Sequence, residues 1–149
     1  MKKVSILLIL ILLAACSTKT TNIMNVKVEK NIYEEISQDT IDLIKNNINI
    51  DSSSIIINGK LDQYLNILEQ KLRIAGYPVF VTAENVMLKE NDYLLKYIID
   101  TIEKTKIKKN TVLTVRYTLS IKDKSCSKIY EINNKKEILF KSEWYCLGD

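Results

Sequence analysis

Three cysteine thiols are the most reactive side chains in this chain of 149 residues, and they stand at positions 16, 126 and 146. A thiol near the amino terminus can attack a lipid donor, and small residues before it allow a signal peptidase to cut there. Two thiols of an exported domain can instead pair, because oxidising compartments preserve disulfides. The residues around each cysteine therefore decide which chemistry applies.

Cys16 follows a segment with the three parts of a secretory signal. Two lysines form a basic start, an apolar run extends over residues 4–13, and two alanines precede the cysteine. The run is shorter than the ~20 apolar residues that a membrane-spanning helix needs. Because Leu13-Ala14-Ala15-Cys16 resembles the bacterial lipobox, we predict that residues 1–15 are a lipoprotein signal peptide and that Cys16 is lipidated. The alternative is an ordinary signal peptide with a chance cysteine.

The position after the cysteine indicates which membrane the anchor enters. Ser17 stands there, not Asp. By resemblance to enterobacterial sorting, this directs a lipoprotein to the outer membrane, and we expect the domain in the periplasm. A lipoprotein carries several acyl chains, such as palmitate, and each buried CH₂ adds ~0.8 kcal/mol, so the anchor should hold firmly.

Charge gives little support for nucleic acid as a partner. The precursor has a formal charge of +4, and removal of the two signal lysines lowers it to +2. No concentrated basic patch with interleaved aromatic residues is present. Lys104, Lys106, Lys108 and Lys109 cluster around Ile107. We interpret them as a solvated turn, and the alternative is a phosphate-binding or lipid-surface patch.

The residue types for catalysis are largely missing. The chain has no histidine, which is the commonest general base and metal ligand. No CxxC motif, P-loop or dinucleotide fingerprint occurs. Two acidic pairs, Glu34-Glu35 and Glu90 with Asp92, could in principle do acid–base work, but exposed charges are the better interpretation. We expect a protein that is not an enzyme and binds no cofactor or metal.

Aromatic side chains could instead supply a protein interface. The chain has eight tyrosines, two phenylalanines and one tryptophan. Some of them must belong to the core, and those left exposed would suit an interface, where Tyr and Trp are enriched. We name Trp144, Tyr145 and Tyr130 as candidate interface residues.

Apolar periodicity predicts the elements that must position these residues. Residues 16–30 read as a lipidated flexible tether, and residues 31–149 as a single small domain. Helices are predicted over 31–47 and 61–75, and strands over 55–57, 77–82 and 111–121. The second helix has an apolar stripe of Leu61, Tyr64, Leu65, Leu68, Leu72 and Ala75. Gly76 stands where a helix-ending glycine is expected.

Residues 93–102 fit both a helix and a strand, and we favour the strand. Residues 126–132 and 138–146 flank a polar turn and are predicted to form a hairpin. If its turn centres near Lys136, Cys126 faces Cys146, Lys128 faces Trp144, and Ile132 faces Phe140. A Cys126–Cys146 disulfide would contribute roughly 3 kcal/mol, and two free buried thiols are the alternative. The predicted fold class is α+β, with a helix packed on a mostly antiparallel sheet and an additional N-terminal helix.

A larger pattern extends over residues 50–146. The leucine-striped helix ends in Ala75-Gly76-Tyr77-Pro78-Val79, two long strands follow, and Ser127-Lys128-Ile129-Tyr130-Glu131 and Ser142-Glu143-Trp144 close the chain. With the lipobox before it, this layout is similar to the TrbH family, outer-membrane lipoproteins of conjugal transfer systems. The resemblance implies a scaffold component of a conjugation or type IV secretion apparatus. Such a protein would fix the periplasmic end of the machine to the outer membrane and stabilise its channel subunits.

Three other functions remain open from the residues alone. The domain could bind a small ligand or a lipid between helix and sheet. It could be an accessory factor for envelope assembly, or a lipoprotein that keeps competing elements out of the cell.

Overall fold

The computed structural model describes residues 23–59, 61–84, 86–107 and 110–148. The predicted signal peptide, Cys16 and the first part of the predicted tether lie outside these residues. The elements in chain order are β1 (Ile23–Met24), α1 (Lys30–Lys45), β2 (Ser54–Asn58), α2 (Gln63–Ile74), β3 (Val79–Thr82), β4 (Asp92–Ile107), β5 (Asn110–Ile121), β6 (Lys124–Ile132), β7 (Ile138–Lys141) and β8 (Tyr145–Leu147). One short 3-10 helix, Ile50–Ser52, lies between α1 and β2.

The strands form one mixed sheet with the order β3-β2-β4-β5-β6-β7. β1 lies beside β4, and β8 lies beside β6. β2 pairs in parallel with β3 and with β4, and β1 pairs in parallel with β4. The pairings among β4 to β8 are antiparallel. The expected α+β class is confirmed in outline, with the sheet dominating the fold. β2 and β3 can be parallel because helix α2 lies between them in the chain. It returns the chain from the end of β2 to the end of the sheet at which β2 began, and two neighbouring parallel strands require such a crossover.

Both helices pack on the same face of the sheet. In α1, Ile32, Ile36, Thr40 and Ile44 are buried at a spacing of four residues, which is one stripe of a helix. The hydroxyl of Tyr117 in β5 contacts the hydroxyls of Thr40 in α1 and of Tyr64 in α2. The core therefore fills the space between two helices and the inward-facing residues of the strands.

Helix α2 begins two residues later than predicted. The Oδ1 atom of Asp62 accepts a hydrogen bond from the Leu65 backbone N–H at 2.8 Å, so Asp62 is the N-cap. Leu61 lies before the helix and is 63% exposed, so it does not belong to the predicted apolar stripe. Gly76 has φ +95° and ends the helix as expected, because this conformation strains any residue with a Cβ.

Residues 93–102 belong to the long strand β4, which confirms the strand over the helix. Leu95, Tyr97 and Ile99 point into the core. The interpretation of the lysine cluster as a turn was wrong for Lys104 and Lys106, because both pair with β5 as part of β4. Lys108 and Lys109 lie outside the described residues.

The folded domain starts earlier than residue 31. Ile23 and Met24 pair in parallel with Ile98 and Ile99 of β4. Met24, Val26 and Val28 pack against the core. The assignment of residues 23–30 to a flexible tether was therefore wrong, since alternate apolar residues there are drawn onto the sheet and α1.

The C-terminal hairpin forms, but with two strands, β7 and β8, in place of one. Cys126 lies opposite Cys146, as expected. Nearer the turn the register slips, and Ile132 faces Ile138 instead of Phe140, which lies opposite Glu131. The break lies at Ser142, whose hydroxyl accepts a hydrogen bond from the Ile129 backbone N–H at 3.0 Å.

Candidate functional site at the C-terminal sheet edge

The outer edge formed by β7 and β8 combines open backbone with exposed apolar side chains. No strand of the described residues pairs with the outer side of β7 or β8. Four large apolar side chains are more than half exposed on this edge, namely Leu139 (57%), Phe140 (52%), Tyr145 (67%) and Leu147 (60%). Unpaired strand edges recruit further strands, and grouped exposed apolar residues mark interaction sites. We call Leu139, Phe140, Tyr145 and Leu147 the C-terminal edge.

Three of these side chains lie on the sheet face opposite α1 and α2, which we call the open face. Phe140 lies opposite Glu131, Tyr145 opposite Ser127, and Leu147 opposite Ser125. These three partners alternate along β6 with buried, helix-facing residues. Because strand side chains alternate between faces, Phe140, Tyr145 and Leu147 form one flank of the open face.

Hydroxyl groups bound the apolar flank toward the centre of the sheet. Thr118 and Ser127 share a hydrogen bond of 2.9 Å, and Ser120 and Ser125 share one of 3.2 Å. Groups paired in this way sit on a face that water can reach. Polar groups therefore border this flank toward the centre of the sheet, and another exposed apolar residue of the same face, Phe80, lies at the opposite edge.

A disulfide fastens the short strand β8. Cys126 and Cys146 are bonded, with 2.03 Å between their sulfur atoms. Cys126 is 3% exposed, so the bond joins the edge to the core. β8 has only three residues, and a strand this short gains little from its ladder alone. The disulfide thus holds the backbone that carries Tyr145 and Leu147.

A buried cluster of charges lies beneath the same edge. Lys128 Nζ lies 3.1 Å from Asp39 Oδ2, and their side chains are 9% and 11% exposed. The Tyr130 hydroxyl donates to Asp39 Oδ2 at 2.9 Å. Lys141 Nζ donates to Asp39 Oδ1 at 3.2 Å. Asp39 of α1 therefore binds β6 and β7 at once.

The environment keeps this cluster charged. Burial alone would raise the pKa of the Asp39 carboxyl, but hydrogen bonds from Tyr130, Lys128 and Lys141 outweigh it and hold the pKa below its usual value. Burial, and then the charge of Asp39, raise the pKa of Tyr130. Asp39 is thus ionised and Tyr130 protonated at neutral pH. The cluster acts as a fixed connection between α1 and the C-terminal edge.

Acid should weaken this connection. A carboxyl with a pKa below the unfolded value of ~3.9 stabilises the fold fully above that pH, and its contribution is lost as the pH falls through the folded pKa. We expect the difference in unfolding free energy between the natural chain and Asp39→Asn to shrink from pH 6 to pH 3. Urea unfolding at both pH values measures it, and a constant difference would contradict the assignment.

The three interface residues predicted from the sequence differ in how far they are buried. Tyr145 is exposed and belongs to the C-terminal edge. Tyr130 was wrongly chosen, because it is 0% exposed and its hydroxyl is used by Asp39. Trp144 is half-buried, and its ring contacts Tyr117 at 5.9 Å between centroids. As expected, Lys128 lies near Trp144, with Nζ 5.5 Å from the ring centroid.

Three carboxylates of the two acidic pairs, Glu34, Glu35 and Asp92, have partners outside their pairs. Glu34 and Glu35 lie on the surface of α1 and bind Lys30 and Lys141 respectively. Asp92 accepts hydrogen bonds from the Ser54 hydroxyl at 2.5 Å and from the Lys89 backbone N–H at 2.8 Å. Within the described part of the chain, no group of His, Cys, Asp and Glu side chains is arranged to hold a metal ion.

Several residues of the site were missed from the sequence. The sequence analysis did not name Leu139 or Leu147. Three consecutive apolar residues at 138–140 could have indicated that a short strand there exposes at least one of them. Asp39 was missed because acidic residues on helices are usually exposed. Ile36 and Thr40 lie on the buried stripe of α1, three residues before and one residue after Asp39. This position next to the stripe could have indicated that Asp39 is buried.

Comparison with known proteins identifies the family. The family model described as "Conjugal transfer protein TrbH" matches residues 16–144, which is well over half of the chain. Searches of curated proteins and of solved structures found no match. The match begins well before residue 50, where the resemblance in sequence pattern starts, and ends two residues before 146. The chain therefore belongs to the TrbH family of conjugal transfer proteins.

Proposed function

We propose that the protein is a scaffold of a conjugal transfer apparatus, that is, of a type IV secretion machine, and has no catalytic role. Lipid on Cys16 would hold it to the outer membrane, with the domain in the periplasm. The C-terminal edge would bind a channel subunit of the machine. Membership of the TrbH family is the observation that carries this proposal.

Several observations support a lipid anchor. The family match begins at Cys16, which is also the cysteine of the lipobox-like sequence. Neither helix in the described part of the chain has the length and hydropathy to cross a bilayer. The Cys126–Cys146 bond fits an oxidising compartment such as the periplasm. Anchoring restricts the domain to a thin layer and so raises its effective concentration near a membrane-bound partner.

Loss of the anchor should release the domain. Cys16→Ser removes the thiol that would carry the lipid, so we expect no incorporation of labelled palmitate and loss of the protein from the outer-membrane fraction. The Cys126→Ala/Cys146→Ala variant is the control, because it retains Cys16 and should stay labelled and membrane-bound. Unchanged labelling and membrane association of Cys16→Ser would contradict the anchor. Ser17→Asp tests the sorting step and should move the protein to the inner membrane.

The C-terminal edge offers two kinds of binding to a partner. Its open backbone groups can accept an additional strand, and Phe140, Tyr145 and Leu147 can fill pockets between that strand's side chains. The disulfide and the Asp39 cluster fix the edge before binding. A fixed surface loses less conformational entropy on association than a mobile one, which favours affinity.

A charge in this edge should disrupt the complex. Phe140→Lys places an ammonium group within the apolar flank, and we expect at least ~10-fold less channel subunit to be recovered with the protein from membranes. Phe80→Lys is the matched control, because Phe80 is 60% exposed on the same face but on β3, at the opposite edge. Equal recovery with both variants would locate the partner elsewhere. Recovery of no secretion-channel subunit with the natural chain would count against the scaffold itself.

A further inference from the structure

A cavity of about 270 Å³ lies between the end of α1 and the β5–β6 end of the sheet. Its walls are mainly apolar and include Leu43, Ile48, Tyr93, Leu119, Ile121 and Cys126, and the polar Asn47 also lines it. Ile48 and Leu119 are 4% and 1% exposed, so the cavity reaches the core. This volume accommodates about nine non-hydrogen atoms, at ~30 Å³ for each atom of water size.

Two lysines stand at the mouth of this cavity. Lys122 Nζ lies 4.0 Å from the ring centroid of Tyr93, which places its charge over the apolar wall. Lys124 Nζ donates a hydrogen bond to Asn47 Oδ1 at 3.0 Å. Among the described residues, neither ammonium group forms an ion pair with a carboxylate. Asp123 lies between them in the chain and is exposed.

An apolar interior with a cationic mouth selects for a particular chemistry. A polar solute would lose its hydration inside without gaining hydrogen bonds, which is unfavourable. A hydrocarbon segment loses nothing on entering, and an anionic group at its end would meet Lys122 and Lys124. A cationic or neutral head would gain no such contact.

We propose that this cavity binds an anionic amphiphile, with a hydrocarbon segment of about eight to ten atoms inside and a carboxylate or phosphate between Lys122 and Lys124. Fatty acids and phosphate-bearing lysolipids of the envelope share this chemistry. The site shares no residue with the C-terminal edge, although Cys126 of its wall is bonded to Cys146 of β8, and it does not depend on the channel partner.

Decanoate is the first probe, and the Cys16→Ser chain is used because it lacks the thiol that would carry the lipid. We expect saturable binding at one site, seen by calorimetry, with shifts in the methyl resonances of Ile48, Leu119 and Ile121. Decanol and decyltrimethylammonium should bind at least about tenfold more weakly, because they lack the negative head. Inorganic phosphate alone should leave these resonances unchanged. Equal binding of decanol, or no saturable binding of decanoate, would overturn the proposal.

Charge removal at the mouth tests the location. Lys122→Asn/Lys124→Gln should weaken decanoate about tenfold and leave decanol unchanged. Asn suits position 122, where φ is +51°. Lys104→Gln/Lys106→Gln is the matched control, because it removes the same charge from exposed positions on β4 and should have no effect. Equal weakening by both pairs would show unspecific attraction. Tighter binding of a lysophosphatidate than of decanoate would identify a membrane lipid as the source, and weaker binding a fatty acid.

Discussion

Asp39→Ala should lower the free energy of unfolding by about 3–5 kcal/mol, the largest effect expected for any single polar residue described above. The change removes the carboxylate that faces Lys128, whose side chain is 9% exposed, and that accepts the hydroxyl hydrogen of Tyr130. An ammonium group without a partner is then left in the interior, where its hydration cannot be recovered. Urea or guanidinium unfolding followed by Tyr and Trp fluorescence measures the loss.

A double variant separates the cost of an orphaned charge from the worth of the ion pair. Asp39→Leu/Lys128→Met replaces both groups by hydrocarbon, and such replacements of buried pairs are often neutral or stabilising. We expect it to be at least about 2 kcal/mol more stable than Asp39→Leu alone. Lys141 is 44% exposed and can turn toward water in either variant. A cost below about 1 kcal/mol for Asp39→Ala, or a double variant less stable than the single one, would contradict this account.

Loss of the Cys126–Cys146 bond should cost about 3 kcal/mol, because the bond restricts the unfolded chain across a sequence separation of 20 residues. With a typical urea slope of 1–3 kcal/mol per molar, the midpoint of unfolding should fall by roughly 1–3 M. We expect the natural chain in reductant and Cys126→Ala/Cys146→Ala in buffer to unfold at similar urea concentrations.

The same double variant is the control for the reductant, since it has no bond to reduce and should unfold identically with and without it. The intact mass of the natural chain should rise by two hydrogens on reduction. An unchanged midpoint and an unchanged mass in reductant would show that the bond does not form. Recovery of channel subunit should also fall, because β8 would no longer be fixed to β6.

Much of the fold could be predicted because local patterns and tertiary packing agree. Helix α2 has a continuous apolar stripe from Tyr64 to Leu72, and Gly76 follows its last turn. Both signals lie within the same short segment, so they can be read directly from the sequence. β5 alternates regularly because one of its faces meets the core and the other meets water. Its boundaries were predicted within one residue. Leu61 fitted the stripe of α2 by spacing, but Asp62 caps the helix, which therefore begins after Leu61.

Other features depend on contacts between distant segments, which a single sequence does not display. The parallel pairing of β2 with β3 and β4 follows from how the chain returns after α2, and alternation along one strand carries no information about its neighbours. The register slip between Glu131 and Ile132 leaves Leu139 without a partner residue on β6, and no periodicity indicates it.

The candidate site shows the same division. Cys126 and Cys146 could be placed opposite each other because a hairpin makes them local partners. Asp39 lies far along the chain from Lys128 and Lys141, so their cluster could not be found by spacing. Tyr130 was misplaced because alternation assigns a residue to a face of the strand but does not say which face a helix covers.

If lipid on Cys16 anchors the protein, as we propose, the pairing of β1 with β4 sets the position of the domain relative to the membrane. The chain from Cys16 to Ile23 can span at most about 25 Å even when fully extended. This segment joins the folded domain at Ile23, beside β4. β7 and β8 lie on the far side of β6, roughly 20 Å from Ile23 at ~4.8 Å for each strand. A lipid-anchored domain can thus turn the C-terminal edge away from the bilayer, but the short segment keeps the whole domain close to the membrane surface. A subunit that binds this edge must therefore place its own strand close to the membrane.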